Sequence, residues 1–169
     1  MQNIFIRRLV SIVLLCVWAV TIFCFSAQNA DKSSDTSEGI VEKIISVTYP
    51  EFDELSTGEQ VKTIDITTLI VRKLAHFLEY FILGALAFLT AINFDNTRSK
   101  LNALISIGFC VLYSITDEVH QYFVPGRACR FVDVCIDASG SALAVVILAV
   151  IIYKSSKKRG EPNAKKEVN

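Results

Sequence analysis

The sequence predicts an all-α protein, a four-transmembrane-helix bundle with a polar extracytoplasmic segment between helices 1 and 2. Three observations predict it. The chain of 169 residues is 52% hydrophobic and has a mean hydropathy of +0.45, high for a soluble domain. Its charged residues, 20% of the total, are segregated from four long apolar runs. A span needs about 20 residues to cross about 30 Å of hydrocarbon, and each run reaches that length or borrows flanking positions to do so.

The first span is expected over about residues 7–25. Residues 9–25 carry no charge, which is longer than the about 7–15 residues of a signal-peptide core, and no A-x-A site follows. The helix is therefore read as retained. Residues 26–72 turn polar, with Asp31, Asp35, Glu38, Glu42, Glu51, Asp53, Glu54, Glu59 and Asp65 against Lys32, Lys43 and Lys62. Within them Ile40, Val41, Ile44, Ile45 and Val47 recur at nearly helical spacing. This predicts an amphipathic helix over residues 38–48, lying on the membrane surface or packed on the protein itself.

The second span is expected over about residues 74–94, the third over 101–118 and the fourth over 134–153. Residues 1–153 then form one membrane domain, and residues 154–169 a basic cytoplasmic tail with Lys154, Lys157, Lys158, Arg159, Lys165 and Lys166. Four spans put Arg7/Arg8, Arg98/Lys100 and this tail on one side, which the positive-inside rule makes cytoplasmic, with both termini. The acidic segment and residues 117–133 share the other side. Arg72/Lys73 and Arg127/Arg130 are exceptions that a shared site explains. The zero net charge gives no electrostatic footprint for a nucleic acid.

The five cysteines form no CxxC pair. Those in apolar runs act as small hydrophobes, and Cys129 and Cys135 are close enough in sequence to bridge only if their geometry fits.

The stretch Asp117-Glu118-Val119-His120-Gln121-Tyr122-Phe123-Val124-Pro125-Gly126-Arg127 crowds charges onto the end of an apolar helix, where they are costly and are kept for function more often than for stability. At 100° per residue, Lys73, His76, Glu79 and Tyr80 fall within an arc of about 120°, with Gly84 and Ala87 continuing that face. Tyr113, Asp117 and Gln121 make an i, i+4, i+8 stripe, and Asp133, Asp137, Gly140 and Ala144 align within about 60°. Small residues let membrane helices approach closely, so the Gly84 and Gly140 stripes are the expected seam. Closing it gathers Lys73, His76, Glu79, Asp117, Glu118 and Asp137 at the outer end. Gln121, Arg127 and Asp133 join them as candidate ligand-binding residues.

Each group has a plainer reading. The acids can fasten helices by pairing with Lys73, Arg127 and Arg130, although ion pairs fasten poorly. Arg127, held after the Pro125-Gly126 turn, suits bidentate binding of a phosphate or carboxylate, or a bridge to Asp133 or Asp117. His76 and Glu79 are the candidate acid–base pair for an enzyme. Without a signature such as H-E-x-x-H, a histidine bonded to a carboxylate is favoured over a metal site, and no cofactor is expected. Ser139 and Ser141 lack a G-x-S-x-G elbow. Tyr122, Phe123 and Trp18 read as interfacial anchors or lipid-facing packing.

Three strings carry a resemblance: Arg72-Lys73-Leu74-Ala75-His76-Phe77-Leu78-Glu79-Tyr80, the residues 117–127 quoted above, and Asp133-Val134 with Asp137 and Gly140. They resemble the VanZ-like family of bacterial membrane proteins, as does Phe25-Ser26-Ala27-Gln28 with Ser33, Ser34 and Ser37. The resemblance covers most of residues 5–150. Asp137 stands where many members have Asn, and Ala128-Cys129-Arg130 replaces a small, serine- or glycine-rich stretch. It implies a multi-pass protein of the bacterial cell membrane, with a link through the family's namesake to resistance to the glycopeptide teicoplanin. It supplies no reaction. The function expected is binding of an anionic or zwitterionic envelope component, among membrane lipids, cell-wall precursors and glycopeptides. A membrane-embedded enzyme acting on a lipid or cell-wall precursor is the alternative.

Overall fold

The computed structural model describes residues 2–28, 30–95, 97, 99–127 and 129–160. It is all-helical: α1 (Gln2–Ser26), α2 (Ala30–Thr48), a 3-10 turn (Phe52–Glu54), α3 (Thr57–Phe94), α4 (Ser99–Tyr122) and α5 (Phe131–Gly160). Four of these, α1, α3, α4 and α5, are long and apolar enough to cross a membrane. Arg98 and residues 161–169 of the basic tail lie outside the described residues. The tail's first residues continue α5 as helix.

α3 is the central element and contacts each of the others. It starts well before its apolar run because a capping box fixes its first turn: Glu59 Oε2 accepts the Ser56 backbone N–H at 3.1 Å and the Ser56 hydroxyl at 2.7 Å. This satisfies donors that a helix start otherwise leaves open. At 38 residues α3 is about 57 Å long, so its first third reaches past the end of α1. There it carries α2, whose Val41 and Ile45 are buried while Ile40, Ile44 and Val47 stay exposed. The predicted amphipathic helix thus packs on the protein by one face and leaves an apolar edge outward.

α1 runs antiparallel to the later part of α3. Arg8 Nε and Nη2 donate to the carbonyls of Asn93 and Phe94 at 3.0 and 3.2 Å, satisfying carbonyls at the end of α3 where a cation is also favoured by the helix dipole. Arg7 donates to the Asn93 side chain. Further along, Trp18 Nε1 donates to the Glu79 carbonyl at 2.9 Å, and Tyr113 of α4 to the Ala19 carbonyl at 2.7 Å. Trp18 is therefore part of the α1–α3 contact. Tyr122 and Phe123 are exposed. All five cysteines, Cys129 and Cys135 included, are free thiols, and only Cys110 is buried.

The α3–α5 seam lies where the small residues place it. A Cβ built on Gly84 would lie 2.6 Å from the Ser141 carbonyl oxygen and 2.7 Å from its Cα, and one on Gly140 would run into the Phe77 carbonyl oxygen. Backbone faces backbone at both points, so no side chain can give way. Around the seam pack the buried Tyr80, Leu83, Phe88, Ala144 and Val145.

Gly140→Ala and Gly84→Ala are expected to cost about 1–3 kcal/mol by forcing the helices apart, read as a lowered melting temperature of the purified protein in detergent. Gly108→Ala, with nothing within 4 Å of its added Cβ, should be neutral or stabilise by up to about 1 kcal/mol.

Candidate functional site

The polar groups gather at the end of the bundle where α1 stops and α4 gives way to the loop into α5. Closing the Gly84/Gly140 seam sets α3 residues 73–79 against the first two turns of α5. Lys73 Nζ meets Asp133 Oδ1 at 2.5 Å, and His76 Nδ1 lies 4.0 Å from Glu79 Oε2 and 3.9 Å from Asp137 Oδ1. Both His76 separations exceed a hydrogen bond, so the imidazole is poised between two carboxylates without being bonded to either.

The turn before Arg127 is built as its Pro-Gly pair requires. The Arg127 N–H donates to the Val124 carbonyl at 3.1 Å and Gly126 has φ 76°, a left-handed conformation that suits glycine at the third position of a type II turn. The turn aims the guanidinium back across the bundle end, where Nε donates to the Gln28 carbonyl at 3.0 Å and Nη1 to Gln121 Oε1 at 3.3 Å. Arg127 thus ties the α1–α2 link to α4 and pairs with neither Asp133 nor Asp117. Burial pulls its pKa below the usual value and the Arg72 charge adds to this, while Asp117, Glu118 and Glu79 oppose the shift. A guanidinium stays charged throughout.

A pocket of about 200 Å³ opens here, lined by Arg72, Lys73, Arg127 and Arg130 with Asp133 as the one acid, together with Leu69, His76, Gln121 and Gly126. A second, of about 230 Å³, shares the Arg72, His76 and Arg127 side chains and takes in Phe25, Ser26, Gln28, Ile40, Val71, Ala75 and Glu79. Lys73, His76, Gln121, Arg127 and Asp133 therefore share the basic pocket, and Glu79 faces its neighbour.

Asp117, Glu118 and Asp137 line neither pocket. They form a buried layer behind, 3%, 1% and 0% exposed. Asp137 Oδ2 accepts the Ser114 hydroxyl at 2.7 Å, Asp117 Oδ2 accepts Gln121 Nε2 at 3.1 Å, and Glu118 Oε2 accepts the Arg130 backbone N–H at 2.8 Å. Each keeps one buried oxygen with no hydrogen-bond partner, as does His76 Nδ1. Among the described residues no three His, Cys, Asp or Glu side chains are grouped to hold a metal ion.

Ser114, Arg72 and Arg130 are site residues that the reading of helical stripes did not single out. A signal for Ser114 existed: Asn102, Ser106, Cys110 and Ser114 recur every four residues and are all buried, leading into Asp117, Glu118 and Gln121. This polar stripe is the most buried face of α4; Tyr113 sits at its edge, packed against the core and donating to the Ala19 carbonyl of α1. Arg72 and Arg130 were visible as charges on the acidic side of the chain, but which way they faced was not.

Four helices long and apolar enough to cross a membrane, a sealed helix seam and a basic pocket at one bundle end define a helical bundle of the multi-pass membrane class with a polar site at one end. The chain belongs to the VanZ/LLP1 family, whose sequence model matches residues 11–154. No curated protein and no solved structure matches it.

The buried acid layer has a stability signature. Asp137→Asn keeps an acceptor for Ser114 and removes a carboxylate from a dry site, so the melting temperature should hold or rise. A loss of about 2 kcal/mol or more would instead mean that the carboxylate fastens α5 to its neighbours.

Proposed function

We propose that this VanZ/LLP1 protein binds an anionic or zwitterionic component of the cell envelope in the basic pocket, with Lys73 and Arg127 contacting the anion. The observation that carries the reading is the imbalance of charge: four cations and one acid around about 200 Å³. Basic pockets between membrane helices suit lipid head groups, and a guanidinium fits phosphate or carboxylate bidentately. Asp133 holds Lys73 in place, Gln121 holds Arg127, and Glu79, Asp117, Glu118 and Asp137 set the field behind them or meet cationic groups of the ligand. Lipid head groups, cell-wall precursors and glycopeptides share this chemistry, and the reading extends to a contribution to teicoplanin resistance.

The distribution of charge supports an outer-face site with both termini in the cytoplasm. Single cysteines at Glu54 and at Lys157, in a background with the native cysteines replaced, should be labelled from outside at the first position only. Labelling of Lys157→Cys alone would put the site in the cytoplasm.

Alanine at Lys73 and at Arg127 should each lower affinity for an anionic head group by tenfold or more, at unchanged protein level, and should raise teicoplanin sensitivity in cells that depend on the protein. Unchanged binding and sensitivity would remove the pocket reading. A second reading, an enzyme acting on a lipid or cell-wall precursor, is favoured by His76 standing 4.0 Å from Glu79 and 3.9 Å from Asp137, where a movement of about 1 Å brings either carboxylate within proton-transfer reach. Glu79→Gln separates the two: an enzyme loses turnover and keeps binding, whereas loss of binding alone marks a receptor or accessory protein.

A further inference from the structure

Resting on the head-group reading above, we infer that the ligand is an amphiphile, a phosphate ester on a hydrocarbon chain, with the phosphate in the basic pocket and the chain in the apolar pocket beside it. The two pockets are not independent. Arg72, His76 and Arg127 line both, so a molecule crossing that wall meets cations first and apolar side chains next. Each pocket is below the about 300 Å³ of an ordinary small-molecule site, and joined they reach it.

The chemistry of the two halves differs in the way an amphiphile requires. On one side Arg72, Lys73, Arg127 and Arg130 outnumber Asp133, and neither Arg72 nor Arg130 makes a side-chain ion pair among the described residues. Unpaired like charges around one small volume repel one another, and a doubly charged phosphate relieves that repulsion. On the other side Phe25, Ile40, Val71 and Ala75 give a largely apolar lining, interrupted by Ser26, Gln28 and one acid, Glu79. A sugar or nucleotide phosphate would set more polar groups against Phe25, Ile40, Val71 and Ala75 than the few polar side chains there can partner. A bare phosphate would leave it unused.

The apolar half also leads somewhere. Val71, Ala75, Leu78 and Ile82 lie within about 60° of one another around α3, and Leu78 and Ile82 are 57% and 40% exposed. This strip begins at the pocket and continues along α3 past the end of α1, into the part of the helix that α1 accompanies. A chain seated on Val71 and Ala75 can follow it into the bilayer without crossing polar surface.

The test uses the full chain in a nonionic maltoside detergent, with dodecyl phosphate, inorganic phosphate and dodecanol as probes. Dodecyl phosphate is expected to bind at least tenfold more tightly than either of the others. Ala75→Trp fills the apolar pocket from an exposed helix position and should weaken dodecyl phosphate tenfold or more while leaving inorganic phosphate unchanged. Val71→Gln should do the same by polarity, should the tryptophan disturb folding. Arg130→Ala should weaken both phosphates. Equal affinity for inorganic and dodecyl phosphate, or indifference to both pocket variants, overturns the amphiphile while the anion reading stands. Equal affinity for dodecanol and dodecyl phosphate overturns the phosphate half, and no binding of either phosphate overturns the anion reading with it.

Discussion

The approach of α3 to α5, backbone against backbone at Gly84 and Gly140, is the constraint on which the rest of the molecule depends. In a bilayer, lipid tails are as apolar as any side chain, so helices associate by packing and by polar contacts. Two glycines remove the side chains that would keep these helices apart. The geometry of the bundle end follows. Lys73 reaches Asp133, and His76 comes to stand between Glu79 and Asp137, because the seam leaves the first turns of α5 no other place to go.

Behind the pocket, the polar stripe of α4 solves a different problem. Asp117, Glu118 and Asp137 sit out of water and half-satisfied, each with one oxygen bonded and one without a partner. Such groups are expensive in any protein interior and more so within a membrane. Fastening is a poor reason to keep them, since a packed apolar side chain holds helices at lower cost. The three acids stand behind the pocket and line no part of it, so the four cations around it keep Asp133 as their one acid there.

The helical overhang gives the site its roof. α3 continues past α1 because its capping box sits at Ser56 and Glu59, and α2 folds back onto that extension through Val41 and Ile45. Phe25, Ile40 and Val71, from three helices, consequently meet over one apolar pocket. The Arg127 side chain closes the arrangement by reaching from the loop after α4 to the Gln28 carbonyl.

The sequence by itself determined the class of fold, the four spans, the seam and the turn before Arg127. Apolar runs, 100° periodicity and a Pro-Gly pair are local patterns, and local patterns are set by backbone geometry that needs no partner. It also carried two signals that hydropathy overshadowed, the capping box Ser56-Thr57-Gly58-Glu59, which starts α3 long before residue 74, and the recurrence of Asn102, Ser106, Cys110 and Ser114 along α4. Tertiary structure alone decided how the charges divide. Lys73 took Asp133, Arg127 took Gln28 and Gln121, and Asp117, Glu118 and Asp137 withdrew into a buried layer while the arginines faced the pocket. Helical angles say which residues share a face, but the partner of a charge depends on the distance and tilt between helices, and those exist only once the glycine seam has closed.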